Sequence, residues 1–141
     1  MSLDHIFGVA GTALNAQTVR MNTTASNMAN AGSVSSTEEG AFRAKRAVFK
    51  ALLDEGMTTQ GAPYVGGVKV DHIADDQTPV RKVFQPGNPM ADKDGFIYQS
   101  NVSEVGEMVD MMASARSYQN NVEVINTARQ LLMRTLDLTK A

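Results

Sequence analysis

His72 directly follows Asp71 and stands three residues before Asp75. A histidine beside carboxylates is the pairing a hydrolase uses for a general base and the acid that orients it. The rest of that machinery is missing from the chain. No serine occupies a Gly-x-Ser-x-Gly elbow, and there is no cysteine to serve as a nucleophile. His72 also alternates with Val68 and Val70, which places it on a strand face as a structural residue. Asp92-Lys93-Asp94-Gly95 has the look of a calcium loop. With Gly95 at position 6, position 1 falls on Met90 and position 12 on Asn101, and neither supplies the required carboxylate. A plain turn is expected there, and Asp75-Asp76 reads as a second, solvated turn. Gly66-Gly67 lacks the Lys-Ser/Thr pair of a phosphate loop. An enzyme built on His72 with Asp71 or Asp75 is the weakest reading, because nothing assembles a nucleophile, a base and an oxyanion site. No catalytic residue, cofactor or metal is expected.

Composition narrows the field further. The 141 residues carry a net charge of −2 and a pI of about 5.6. Such a chain holds one modest domain, or a small globule with a helical stalk. Its basic residues cluster at Arg43, Lys45, Arg46 and Lys50, interleaved with Ala44, Ala47 and Val48. That spacing suits a solvated strand face, and nucleic acid is not an expected partner. A small-molecule substrate is not expected either. Residues 1–20 lack the basic start and unbroken apolar run of a cleaved signal. No window approaches the ~20 apolar residues of a membrane span. Composition alone therefore gives a cytoplasmic protein, unless export proceeds without a cleaved signal.

The elements that must position these residues are two long helices and a β-rich middle. Leu3, Ile6, Phe7, Ala10, Leu14, Met21, Ala25 and Met28 recur at helical spacing. So do Met108, Met111, Ala115, Tyr118, Val122, Ile125, Ala128, Leu132 and Leu136. The first helix is predicted over 3–30, capped by Ser2 and stopped by a left-handed Gly32. The second is predicted to start near Asn101, with Asn101 and Glu104 as a capping box. Between them, short strands are predicted within 42–53, 68–73, 80–84 and 96–98, separated by loops at 33–39 and 54–67 and by Pro86-Gly87-Asn88-Pro89. The expected class is α+β: the terminal helices form an antiparallel coiled coil and the middle a small β unit. The segments are 1–32, 33–100 and 101–141.

Only Asp4 and Arg20 are ionised within the first 31 residues. The other polar groups there are amides and hydroxyls, which tolerate burial when hydrogen-bonded. Such a surface suits a helix surrounded by neighbours. Gln17, Gln119 and Asn126 interrupt the stripes, so neither is a strict two-helix seam. That pattern indicates assembly in place of catalysis.

Two segments carry a family likeness. Ala13-Leu14-Asn15-Ala16-Gln17, Arg20-Met21-Asn22 and Ala25-Ser26-Asn27-Met28-Ala29-Asn30-Ala31 resemble the opening helix of flagellar rod and hook proteins. Asn101-Val102, Glu104-Val105-Gly106-Glu107-Met108-Val109 and Ser117-Tyr118-Gln119-Asn120-Asn121-Val122-Glu123 are similar to that family's closing helix. Pro86-Gly87-Asn88-Pro89-Met90-Ala91-Asp92 and Gly95-Phe96 resemble its short proximal-rod members. The resemblance implies a non-enzymatic subunit of the proximal rod, the shaft that carries torque toward the distal rod and hook. It implies export through the flagellar type III apparatus and helical assembly in the periplasm-spanning part of the basal body. Implied partners are copies of itself, other rod proteins, and the protein joining the rod to the export gate. On that basis the packing residues are expected to be Leu14, Gln17, Arg20, Asn27, Met28 and Asn30 in the first helix. In the second they are Met108, Met112, Tyr118, Gln119, Asn121, Val122 and Ile125. Arg20 is expected to pair with Glu104, Glu107 or Glu123. A rival reading is a helical hairpin that docks a single partner helix, or another member of the axial family.

Overall fold

The computed structural model describes residues 3–53 and 65–140. Two helices and five strands follow the order α1 (Leu3–Ala29), β1 (Val34–Ser35), β2 (Lys45–Leu53), β3 (Val65–Asp75), β4 (Arg81–Phe84), β5 (Phe96–Gln99) and α2 (Glu104–Lys140). The architecture is α+β, as the patterning predicts. Ser2, expected as the α1 cap, and the 54–64 part of the expected loop lie outside the described residues.

The helices run antiparallel along one another. Ile6 sits beside Val124, Ala128 and Leu131, Arg20 beside Asp110, and Asn27 beside Glu107. Apart from Asn27 and Glu107, the buried positions of the two helices are small: Ala10, Ala16, Thr23 and Thr24 on α1, Ser114 and Ala128 on α2. Small side chains let backbones approach closely, and their hydroxyls bond to the preceding turn of their own helix. Thr23 Oγ1 donates to the Val19 carbonyl at 2.9 Å, and Ser114 Oγ to the Asp110 carbonyl at 2.7 Å. Buried hydroxyls are thereby satisfied without a partner helix.

Both helix ends use different residues from those expected. Gly32 is not left-handed; among the described glycines only Gly67 and Gly95 have positive φ. The end of α1 is closed by side chains, Asn30 Nδ2 donating to the Ser26 carbonyl and Ser33 Oγ to the Asn30 carbonyl, each at 2.8 Å. At α2 the cap is Ser103, not Asn101: Ser103 Oγ accepts from the Gly106 N–H at 3.3 Å. Asn101 bonds instead to the backbone of Ala44 and Thr78.

The strands form two sheets. Residues 34–35, expected within a loop, pair with β5 through Val34↔Gln99 and Ser35↔Tyr98, giving the antiparallel order β1-β5-β4. β2 and β3 form a separate hairpin, with a register shift between Val48 and Phe49. β3 is longer than predicted; Gly66, Gly67 and Asp75 belong to it instead of to turns. Asp92 closes the turn into β5, its Oδ1 accepting from the N–H groups of Asp94 and Phe96. A small cluster of Ala31, Ala44 and Val102, with Phe42 against it, sits where α1, β2 and α2 converge.

The hairpin lies against α1. Gly67 has φ +138°, and a Cβ built on it would stand 2.5 Å from Thr12 Oγ1. That hydroxyl accepts from the Val68 N–H at 3.2 Å and donates to the Val9 carbonyl at 2.8 Å. It therefore cannot turn away without losing both bonds. Gly67→Ala is expected to cost about 2 kcal/mol or more in urea unfolding, from backbone strain and the displaced threonine together.

Candidate functional site

α1, α2 and the hairpin meet at a junction tied by buried hydrogen bonds and an ion pair. Asn27 is completely buried. Its side-chain amide brackets the first residue of β2: Nδ2 donates to the Lys45 carbonyl, and Oδ1 accepts from the Lys45 N–H, both at 2.8 Å. An amide side chain thereby completes the backbone bonding of a strand that has no neighbouring strand on that side among the described residues. Asn101 grips the adjacent residue. Its Oδ1 accepts from the Ala44 N–H at 2.7 Å, and its Nδ2 donates to the Thr78 carbonyl at 2.8 Å. Two asparagines, one from each helical segment, hold consecutive residues of the β unit.

Glu107 completes the joint. It is 1% exposed, and Oε2 accepts the remaining Asn27 Nδ2 proton at 3.0 Å. Its Oε1 meets Arg46 Nη1 at 2.8 Å. Arg46 also reaches Asp110 Oδ2 at 3.4 Å and Asp76 Oδ2 at 3.7 Å. Arg20 approaches Asp110 Oδ1 at 3.5 Å. Lys45 Nζ pairs with Asp75 Oδ1 at 2.6 Å, across the register of the hairpin. Only the Glu107 carboxylate is fully shielded from water. The exposed pairs around it contribute little each, while Glu107 is placed where loss of a partner is costly.

Asp76 gives the junction an acid sensitivity. The Thr78 hydroxyl and N–H donate to its Oδ1 at 2.6 and 2.9 Å, and with Arg46 they hold this carboxyl below its ordinary range. A folded-state pKa below the unfolded one contributes stability above the unfolded value, near pH 4, that is lost as pH falls toward the folded one. Asp76→Asn is therefore expected to flatten the dependence of stability on pH below about pH 4. Urea midpoints measured across that range read this directly.

The predicted packing residues fall into three settings. Asn27 has no exposed surface, so whatever it contributes comes from within the subunit. Leu14, Gln17, Arg20, Met28, Asn30, Tyr118, Asn121 and Ile125 are half-buried, and Gln17 Oε1 is buried without a hydrogen-bond partner among the described residues. Met108, Met112, Gln119 and Val122 face outward. Arg20 pairs with Asp110 and not with Glu104, Glu107 or Glu123, because Glu107 is already engaged by Asn27 and Arg46. His72 is exposed and touches Asp71 at 3.0 Å, holding that carboxyl low. Neither lines the junction.

Sequence reasoning missed the roles of Arg46, Asn101, Asp75 and Asp76, which read as a solvated face, a cap and a turn. Their partners lie far along the chain, so local periodicity holds no trace of them. The one usable signal was the nearly uncharged first helical segment, with Asn27 near its end. Among the described residues no group of three or more His, Cys, Asp or Glu is placed to hold a metal. No helix there is long and apolar enough to cross a membrane.

Residues 7–32 match the family described as flagella basal body rod protein, and residues 93–138 match the C-terminal segment of flagellar basal body rod FlgEFG proteins. Asn27 lies in the first match and Asn101 and Glu107 in the second. The joint thus ties the two together through β2. Over 138 residues, 98% of each chain, the sequence is 49% identical to the flagellar basal-body rod protein FlgC of Yersinia enterocolitica. It is 45% identical to that of Salmonella typhimurium over the same share. The FlgC of Buchnera aphidicola, subspecies Acyrthosiphon pisum, is 42% identical over 143 residues, covering 99% of this chain and all of that one. The chain belongs to the FlgC family of flagellar basal-body rod proteins. It is a structural subunit of the rod in the flagellar basal body. The FlgC relatives are structural rod proteins, not enzymes.

Proposed function

We propose that the subunit builds the proximal rod and transmits torque to the distal rod and hook. It reaches the rod through the flagellar type III export apparatus and assembles helically. α1 and α2 act as an antiparallel coiled coil, packed with neighbouring helices around a central channel, and the middle segment lies outside. In this reading 1–32 and 101–141 form the coiled-coil domain and 33–100 the outer unit. The neighbours are copies of the chain, other proximal and distal rod proteins, and the protein joining the rod to the export gate.

The observation that carries this reading is the outer side of the first turns of α2. Val105, Met108, Val109 and Met112 are all exposed there, with Val105 at 74% and Met112 at 60%. They recur at i, i+3, i+4 and i+7, on the side opposite buried Glu107 and Ser114, so the helix is apolar on its wet face as well. A contiguous apolar stripe of this kind marks a contact surface. The exposed side of α1 supports the same conclusion: Gly8, Gly11, Asn15, Thr18, Asn22 and Ala25 carry no charge. Leu14, Met28 and Asn30 border that side, while Gln17 and Arg20 lie toward the inner side, Arg20 against Asp110, and would reach neighbours only through their half-exposed parts. Tyr118, Gln119, Asn121, Val122 and Ile125 continue the contact along α2.

The test is Met108→Asp with Met112→Asp. Both side chains are exposed, so the isolated subunit should keep its helix content. Cells relying on this variant should be non-motile, and isolated basal bodies should lack it. Normal motility with the variant present in the rod would reject the reading. So would a stable one-to-one complex with a single partner in place of a multi-copy array.

A further inference from the structure

Half of the apolar row at the start of α2 is sulfur-bearing. Met108 and Met112 stand one turn apart, 53% and 60% exposed, with Val105 and Val109 beside them. The chain has no cysteine, so an oxidant meets thioethers and no thiol that would react first. Among the described methionines, Met21, Met28 and Met111 are half-buried, and Met90 and Met133 are exposed. Met90 lies in the turn before β5, away from the helix pair. An added oxygen on Met21 or Met28 would disturb the packing of α1. On Met108 or Met112 it leaves the folded subunit intact, because both side chains already face water. What it changes is the character of the row.

We propose that Met108 and Met112 form an oxidation site that bars the unassembled subunit from the rod, with hydrogen peroxide as the oxidant. The thioether sulfur attacks one peroxide oxygen, and the O–O bond breaks as the S–O bond forms. The departing hydroxide takes the proton of the transferred oxygen and leaves as water. Sulfur gives up two electrons and the peroxide gains them. The product is a polar sulfoxide whose oxygen accepts hydrogen bonds, and Val105 and Val109 have no side-chain donor for it. Pressed into an apolar contact, that oxygen is left without a partner. Once a subunit is packed, its sulfurs are covered, so oxidation acts on subunits still waiting and spares those in place. A methionine sulfoxide reductase reverses the change, the oxygen leaving as water while a dithiol closes to a disulfide. The inference rests on the reading that this row is a contact in the rod.

Mass spectrometry of the wild-type chain, locating each added oxygen, separates the inference from that reading. In the purified subunit, dilute hydrogen peroxide should oxidise Met90, Met108 and Met112 several-fold faster than Met21 and Met28. Circular dichroism should show unchanged helix content until the slower sites react. In intact isolated basal bodies Met108 and Met112 should be protected while Met90 still reacts. Equal reaction of all three there rejects the contact, and the proposal with it. The decisive arm uses cells that make this chain before the other rod proteins. Peroxide is given and removed before those proteins are induced, so shielding within the rod cannot contribute. Sulfoxide at Met90 should then occur in the rod in the same proportion as in unassembled chain. Sulfoxide at Met108 and Met112 should be depleted from the rod by about tenfold or more. Protection in isolated basal bodies, together with equal sulfoxide at these two positions in rod and unassembled chain, overturns the proposal and leaves the contact standing.

Discussion

Glu107→Ala is expected to lower the unfolding free energy by about 3 kcal/mol. The cost comes from the groups left behind. Removing the carboxylate strands one proton of a completely buried amide, Asn27 Nδ2, and takes from Arg46 its closest anion. Arg46 is half-exposed and can recover water, so the cost sits at the low end of the range for broken buried pairs. Glu107→Gln should fall between wild type and alanine. Its single side-chain oxygen can accept from Asn27 or from Arg46 but not from both. Urea denaturation of the purified chain reads the series. A loss below about 0.5 kcal/mol for alanine would place Glu107 among the exposed, weakly contributing pairs and would contradict its position here.

Asn27→Ala should be of similar size, about 2–3 kcal/mol. It orphans the N–H and the carbonyl of Lys45 together and leaves the Glu107 carboxylate short of a donor. Because Asn27 and Glu107 touch, their effects should not add. The double alanine variant is expected to lose about 1 kcal/mol less than the sum of the single losses. Hydrogen exchange adds a spatial check, since the first amides of β2 should open faster in Asn27→Ala while the distal half of α2 is unchanged.

These residues show how far the sequence could be read. The helices were legible because apolar steps of three and four, sustained over many turns, follow the helical period and no other. Strand positions were legible where apolar residues alternated, as over 68–73, and invisible where a two-residue strand such as β1 depends entirely on β5 for its bonds. The near absence of charge from α1 was legible too, and it supports the proposed contact with neighbours. The joint was not. Asn101 carried a plausible local role as a cap, and Ser103, two residues later, fills it better because its hydroxyl reaches the Gly106 N–H. Arg46 sat among alanines and a valine in an alternating run, which resembles a wet strand face until α2 brings Glu107 against it. Long-range pairs of this kind are set by topology, and a single sequence does not encode their distance.

The central claim is that one rigid junction holds a helix pair on one side and a β hairpin on the other, within a subunit of the rod. Electron cryomicroscopy of isolated basal bodies containing this chain tests it most directly. The account predicts α1 and α2 lining the inner wall of the rod, antiparallel within each subunit, with the β2–β3 hairpin directed outward and joined to them at Asn27, Arg46 and Glu107. Helices of one subunit separated from each other, or a hairpin detached from Asn27, would contradict it.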